Sequence, residues 1–117
     1  GLAPADIGYA NLHGTGTIAN DDAEARALRT VFGPAAPLCG STKGVTGHCI
    51  GATAALEAII GVMALRQGVA PPSANLEDPA FDLPLVAGAA RPFTRRGVIS
   101  TSAGFWGLNA CLALAQP

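Results

Sequence analysis

Residues 37–68, PLCGSTKGVTGHCIGATAALEAIIGVMALRQG, decide the architecture. The run opens on a short apolar stretch, Pro37–Thr42, passes through a glycine-flanked loop from Lys43 to His48, and closes on Cys49–Gln67. In that last part helix-forming or neutral residues are apolar almost all round. The pattern predicts a central helix, buried on most sides, rather than an amphipathic surface helix. Gly51, Ala52, Ala54, Ala55, Ala58 and Gly61 would let neighbouring backbone approach it closely, and Gly68 with Pro71-Pro72 stops it. Its apolar core, Cys49–Leu65, falls short of the ~20 residues that span a bilayer. Glu57 stands at its centre. A buried helix of a globular domain fits better than a membrane span.

Upstream, Asp6–Leu12 (DIGYANL) alternates larger and smaller residues and ends in His13-Gly14-Thr15-Gly16-Thr17, which predicts a strand feeding a glycine-rich loop. Asp21 and Glu24 have capping-box spacing, with Asp21 as the N-cap. Ala23, Ala27, Leu28, Val31 and Phe32 follow at helical spacing until Gly33-Pro34 ends the helix. Downstream, the proline-rich segment after Pro72 carries Leu76, Phe81, Leu83, Leu85 and Val86 as anchors, so it predicts an ordered surface excursion. Gly97–Ser102 and Leu108–Ala115 are two strands around Gly104-Phe105-Trp106-Gly107, a hairpin connection. The order is β-α-β-α-β-β in one α/β domain with a buried central helix.

Composition narrows the function. Half of the 117 residues are apolar and 13% are charged, too greasy for a disordered tail. Seven basic residues face eight acidic ones, so there is no basic field for a nucleic acid, and no nucleic-acid or membrane partner is expected. So few charges on so small a domain predict that part of the exterior is covered by something else. No signal-peptide pattern opens the chain. Cys39, Cys49 and Cys111 are odd in number and lack framework spacing, which predicts reduced thiols and a cytoplasmic location. Each falls inside a predicted strand or helix, where an inert core residue is the default. The loop at Lys43 lacks Walker spacing, and the cysteines and histidines lack zinc-ligand spacing.

The chemistry sits where strands meet helices. His13 and His48 each follow a strand and a glycine-rich loop, and in an open α/β sheet such strand ends converge on one crevice. His48, placed at the start of the long helix, feels the positive end of the helix dipole and the nearby Lys43 cation. Both disfavour its charged form and leave an imidazole that donates an N–H to a developing oxyanion. Glu57 is costly in an apolar helix unless paired. Lys43, the only lysine, is the natural candidate; the plainer alternative is a His48 that merely caps the helix and a Glu57 paired with an arginine such as Arg66.

Asn11–Thr17 (NLHGTGT), Ser41–His48 (STKGVTGH) and Pro71–Glu77 (PPSANLE), with Gly104-Phe105 and Asn109-Ala110, resemble the C-terminal part of the β-ketoacyl-acyl-carrier-protein synthases, from about Asp6 to Ala115. The resemblance implies half of a thiolase-like fold and a decarboxylative Claisen condensation of an acyl thioester with malonyl-carrier protein, in fatty acid or polyketide synthesis. It implies that His13 and His48 bind the malonyl thioester carbonyl, that Lys43 and Glu57 form their supporting ion pair, and that Thr15 and Thr17 contact the phosphopantetheine arm. Phe105 would gate the acyl pocket and lend its N–H to the oxyanion hole. No further cofactor is implied, because the carrier protein brings the substrates. The family's nucleophilic cysteine lies in its N-terminal half and has no counterpart here. The expected partners are therefore acyl carrier protein, that N-terminal half and, in the full-length protein, a homodimer mate. This chain alone should be inactive. Ala103 and Trp106 depart from the usual phenylalanine- and glycine-rich final motif. The competing expectation is a non-condensing partner subunit resembling the chain-length factors.

Overall fold

The computed structural model describes residues 1–116. Strand β1 (Ile7–Asn11) leads through the His13 loop into helix α1 (Ile18–Phe32), and β2 (Leu38–Gly40) leads into the one-turn helix α2 (Lys43–Thr46) and then α3 (Thr53–Gln67). A two-stranded ribbon, β3 (Val69–Ala70) with β4 (Arg91–Pro92), brackets the proline-rich excursion. The hairpin β5 (Gly97–Ala103) and β6 (Asn109–Ala115) completes a four-stranded sheet of order β2-β1-β5-β6. β1 runs parallel to β2 and β5, and β6 runs antiparallel to β5. The α/β class and the β-α-β-α-β-β order of the main sheet match the sequence reading.

Alternation along the strands sorts two cores. Tyr9 and Val98 pack with Ala64 and Leu65 of α3, whereas their neighbours Ala10 and Ile99 pack with Leu28 of α1. Successive strand residues point to opposite faces, so α1 and α3 cover opposite sides of the sheet. The excursion is ordered: Cys39 N–H donates to Pro84 O at 3.1 Å and Val86 N–H to Cys39 O at 2.8 Å, which covers the outer edge of β2.

Four local expectations need correction. The cap of α1 is Thr17, whose Oγ1 accepts from Asn20 N–H, and not Asp21. The helix starts directly off the glycine loop, and that leaves Glu24 free for another task. The long helix starts at Thr53 rather than Cys49, because Gly47 (φ 67°) and Ile50 (φ 49°) break the helical path between α2 and α3. Nor is it buried on most sides: only 28% of Ile50–Gln67 is buried, along one stripe that includes Thr53, Glu57, Gly61 and Ala64. Leu56, Ile59, Val62 and Met63 face outward. Of the cysteines, Cys39 is core, and burial pushes its thiol up to about 12. Cys49 and Cys111 are exposed, one in the turn before α3 and the other on the edge strand β6.

Gly61 marks the closest seat of α3 on the sheet. A Cβ there would lie 3.1 Å from Leu114 Cδ1 and 3.5 Å from Val98 Cγ1. Gly61→Leu is expected to lower stability by about 1–3 kcal/mol through overpacking. Urea unfolding of the full-length protein measures it, and an unchanged midpoint would mean that α3 does not seat on β5 and β6 in this way.

Candidate functional site

Two parallel strands, β1 and β2, deliver the two histidine loops to the same end of the sheet. The ring centroids of His13 and His48 lie 5.4 Å apart, edge to face at 86°. A sequence separation of 35 residues is closed by strand pairing alone, since Asn11 stands in register with Gly40.

Beneath them lies the ion pair. Lys43 Nζ donates to Glu57 Oε1, with the two side chains only 6% and 1% exposed. The alternative partner for Glu57, Arg66, is exposed at the far end of α3. The sequence forces this contact by putting its one lysine on the first residue of α2 and its one helix acid on the buried stripe of α3. Removing a single partner from a buried pair leaves a bare charge in the interior.

His13 is held by its backbone. Its N–H donates to Glu24 Oε1 at 2.7 Å and to Thr101 Oγ1 at 3.1 Å, and Gly14 N–H donates to Glu24 Oε2 at 2.8 Å. Thr101 Oγ1 and Asn20 Nδ2 also donate to that carboxylate, at 2.9 Å each. Glu24 thus ties α1, β5 and the turn after β1 into one knot. Gly14 sits at φ 50°, and a Cβ there would meet Ser41 Cβ at 2.3 Å, so only glycine fits the turn. The His13 pKa is lowered, first by desolvation and then by the Lys43 cation, which biases the ring toward its uncharged form. Its Nδ1 is buried with no hydrogen-bond partner among the described residues.

His48 is held differently. It does not cap α3 at its first turn, so the dipole argument for its charge state loses its geometric basis. Its Nδ1 accepts from Ile50 N–H at 3.1 Å and lies 3.2 Å from Thr53 Oγ1. An Nδ1 that accepts a backbone N–H leaves the ring proton on Nε2.

The remaining candidates are distributed unequally. Thr15 and Thr17 lie on the His13 loop, hydroxyl to hydroxyl at 3.1 Å, and Thr17 is also the cap of α1. Phe105 is 90% exposed at the tip of the β5–β6 hairpin and touches neither histidine ring within an aromatic contact. Its neighbour Trp106 is left-handed, at φ 64° and ψ 23°, and fully exposed. Sequence reading missed Glu24 and Thr101 as parts of the site. The visible signal is an acid about two turns into a helix that starts immediately after the histidine loop.

These geometries lead to a double test. Lys43→Met is expected to cost about 3–5 kcal/mol by stranding Glu57. The pair Lys43→Met with Glu57→Leu should recover most of that loss in thermal unfolding. The double variant also removes the Lys43 cation, which lowers the His13 pKa, together with the Glu57 charge, which raises it more weakly. An NMR titration should then show His13 taking its proton at higher pH than in the wild type. The stability lost as pH falls below the ordinary histidine range, where the unfolded chain takes the proton before folded His13 does, should be smaller in the variant. An unshifted titration would separate Lys43 from His13.

Comparison with known proteins places this geometry. Residues 1–77 match the family described as beta-ketoacyl synthase, C-terminal domain. The 3-oxoacyl-[acyl-carrier-protein] synthase 2 of Mycobacterium tuberculosis is 44% identical over 118 residues, covering 99% of this chain and 28% of that protein. Nodulation protein E of Rhizobium leguminosarum bv. trifolii is 44% identical over 119 residues, covering 98% and 29%. Among solved structures, the ishigamide ketosynthase/chain length factor superposes with a TM-score of 0.92 at 36% identity, covering 99% of this chain and 29% of the other. A beta-ketoacyl synthase from Burkholderia phymatum gives 0.90 at 33%, again covering 99% and 29%. The chain therefore spans less than a third of the length of these relatives, and its sheet and helices are those of the C-terminal part of thiolase-like ketosynthases. With the family model matching residues 1–77 and these identities and superpositions in agreement, the chain belongs to the β-ketoacyl synthase family, as a C-terminal portion.

Proposed function

We propose that this chain supplies the decarboxylation and enolate-binding side of a ketosynthase, working with a nucleophilic cysteine on polypeptide outside it. The observation that carries the reading is the pair of rings 5.4 Å apart beside a buried lysine–glutamate pair. Two imidazoles that keep a proton on one nitrogen are neutral N–H donors. Aimed at one thioester oxygen, they stabilise the negative charge that develops there when a malonyl group loses carbon dioxide. The electron pair of the broken C–C bond moves into the enolate. The enolate carbon then attacks an acyl thioester, forms the new C–C bond and expels the cysteine thiolate.

The uncharged state of His13 matters to this reaction. A cationic ring would bind the malonyl carboxylate and hold it, whereas a neutral one binds the carbonyl and lets the carboxylate leave. Burial and Lys43 supply that bias. Thr15 and Thr17 are proposed to line the path of the phosphopantetheine arm, and Phe105 to close the acyl side once the rest of the protein packs against the hairpin. Similar solved structures include a type II polyketide ketosynthase in complex with its acyl-carrier protein and a ketosynthase in complex with its chain length factor. We extend to this chain a carrier-protein partner and a dimeric mate. A chain-length subunit without condensing activity is the competing reading, and the presence of His13, His48 and Lys43 together favours the enzyme.

In the full-length protein, His13→Ala and His48→Ala are each expected to lower malonyl decarboxylation by about 10²–10³-fold. Transfer of the acyl group onto the cysteine should proceed, since that step needs neither donor. Wild-type decarboxylation in either variant contradicts the assignment.

A further inference from the structure

We propose that Trp106 is a specificity-determining residue: its indole stands at the acyl side of the thioester site and sets an upper limit on acyl chain length, so that the site takes short-chain acyl thioesters. The strands supply the placement. β5 runs parallel to β1, with Ser100 in register with Asn11, so the hairpin tip and the His13 loop leave the sheet at the same end. Thr101 Oγ1 lies 3.1 Å from the His13 backbone nitrogen. Beyond it β5 has only Ser102 and Ala103, about 7 Å of strand, before the turn begins at Gly104. Trp106 follows at the tip of that turn.

The turn is built against its own sequence. Trp106 at φ 64° and Gly107 at φ 78° are successive left-handed residues, and Gly104 N–H donates to Leu108 O at 2.6 Å across them. Two positive φ values in a row mark a type I′ hairpin turn, whose first central position favours Asn, Asp or Gly. A bulky side chain there is a steric outlier. Packing within the chain does not compensate, since Trp106 is 99% exposed and makes no aromatic contact among the described residues. Strain of this kind persists where the surrounding structure over-determines it, and it gathers at working sites and ligand clamps. Ala103, Gly104 and Gly107 are small, so the bulk of the hairpin tip is Trp106 with Phe105 and Leu108, both also exposed. Beside a site that binds a thioester, such an apolar tip meets the apolar part of the substrate, which is the acyl chain. An open apolar pocket rejects an extra methylene only weakly. A rigid aromatic side chain with few torsions, standing across the path, rejects longer chains by overlap.

The inference deepens the function proposed above and rests on it, so its test reads the two separately. In the full-length protein, condensation is measured with butanoyl- and tetradecanoyl-carrier protein. The wild type is expected to favour butanoyl. Trp106→Asn, which suits the left-handed turn, should raise kcat/KM for tetradecanoyl relative to butanoyl by about 10-fold or more, with Trp106→Phe between it and the wild type. Its thermal midpoint should be unchanged or higher, since asparagine accepts that backbone. Fluorotryptophan labelling gives a readout that a purely structural indole would not move. The fluorine resonance missing from Trp106→Phe should shift in the wild type when the nucleophilic cysteine is acylated with butanoyl. A wild type that favours tetradecanoyl, an asparagine variant with an unchanged ratio, or a resonance indifferent to acylation overturns the inference and leaves the proposed function standing. An unchanged ratio with a lower midpoint assigns the indole to a contact with other polypeptide instead. The wild-type preference tests the inference even where a variant does not fold. A protein that is neither acylated nor able to condense removes the proposed function, and this inference with it.

Discussion

The Lys43–Glu57 contact organises the site. Each charge alone would be expensive in the interior, and the attraction between them offsets that cost only when the geometry is close and exclusive. The pair therefore acts as a bolt between the turn that follows β2 and the buried stripe of α3. It fixes where α3 begins relative to the sheet, and with it the turn that carries His48. The same cation lowers the pKa of His13 on the neighbouring loop. One interaction thus helps to place one imidazole and adds to burial in favouring the uncharged form of the other.

A second constraint is the parallel pairing of β1 with β2 and β5. Parallel strands end together, so their loops crowd one edge of the sheet. Glu24 makes use of that crowding: its two oxygens gather N–H and O–H donors from the turn after β1, from α1 and from β5. The two histidines are consequently held by opposite means. His13 is fixed through its main chain and leaves its ring to the surroundings, whereas His48 is fixed through its ring. Around them the surface is apolar and open. Ile18, Val45, Ile50, Phe105, Trp106 and Leu108 are the most exposed large hydrophobic residues among those described. An open groove of about 600 Å³ between α1 and the β5–β6 hairpin, lined by Ile7, Val31, Ile99 and Cys111, adds to this. Surfaces of this kind accord with a chain that spans less than a third of its relatives.

Much of this was legible in the residues. The alternation in Asp6–Leu12 and the glycines of the histidine loops announce strands and turns, and the lone lysine is a natural partner for the lone acid of the long helix; only the structure decides between it and an arginine such as Arg66. The helix start was not legible. Cys49, Gly51 and Ala52 are compatible with a helix, and nothing in their order shows that Ile50 takes a positive φ and turns its N–H to His48 Nδ1. The burial of α3 was overread for a related reason: an apolar sequence reports what a helix can be covered by, not which polypeptide does the covering. Glu24 reads as half of a capping box because spacing along a helix is visible in a sequence, while two N–H groups presented by a separate turn are not.

The most direct test of the account is a crystal structure of the full-length protein with a non-hydrolysable malonyl thioester analogue. The account predicts one thioester oxygen within about 3 Å of a ring nitrogen of both His13 and His48, above an intact Lys43–Glu57 pair. A thioester oxygen held by other groups, with either imidazole turned away from it, would contradict it.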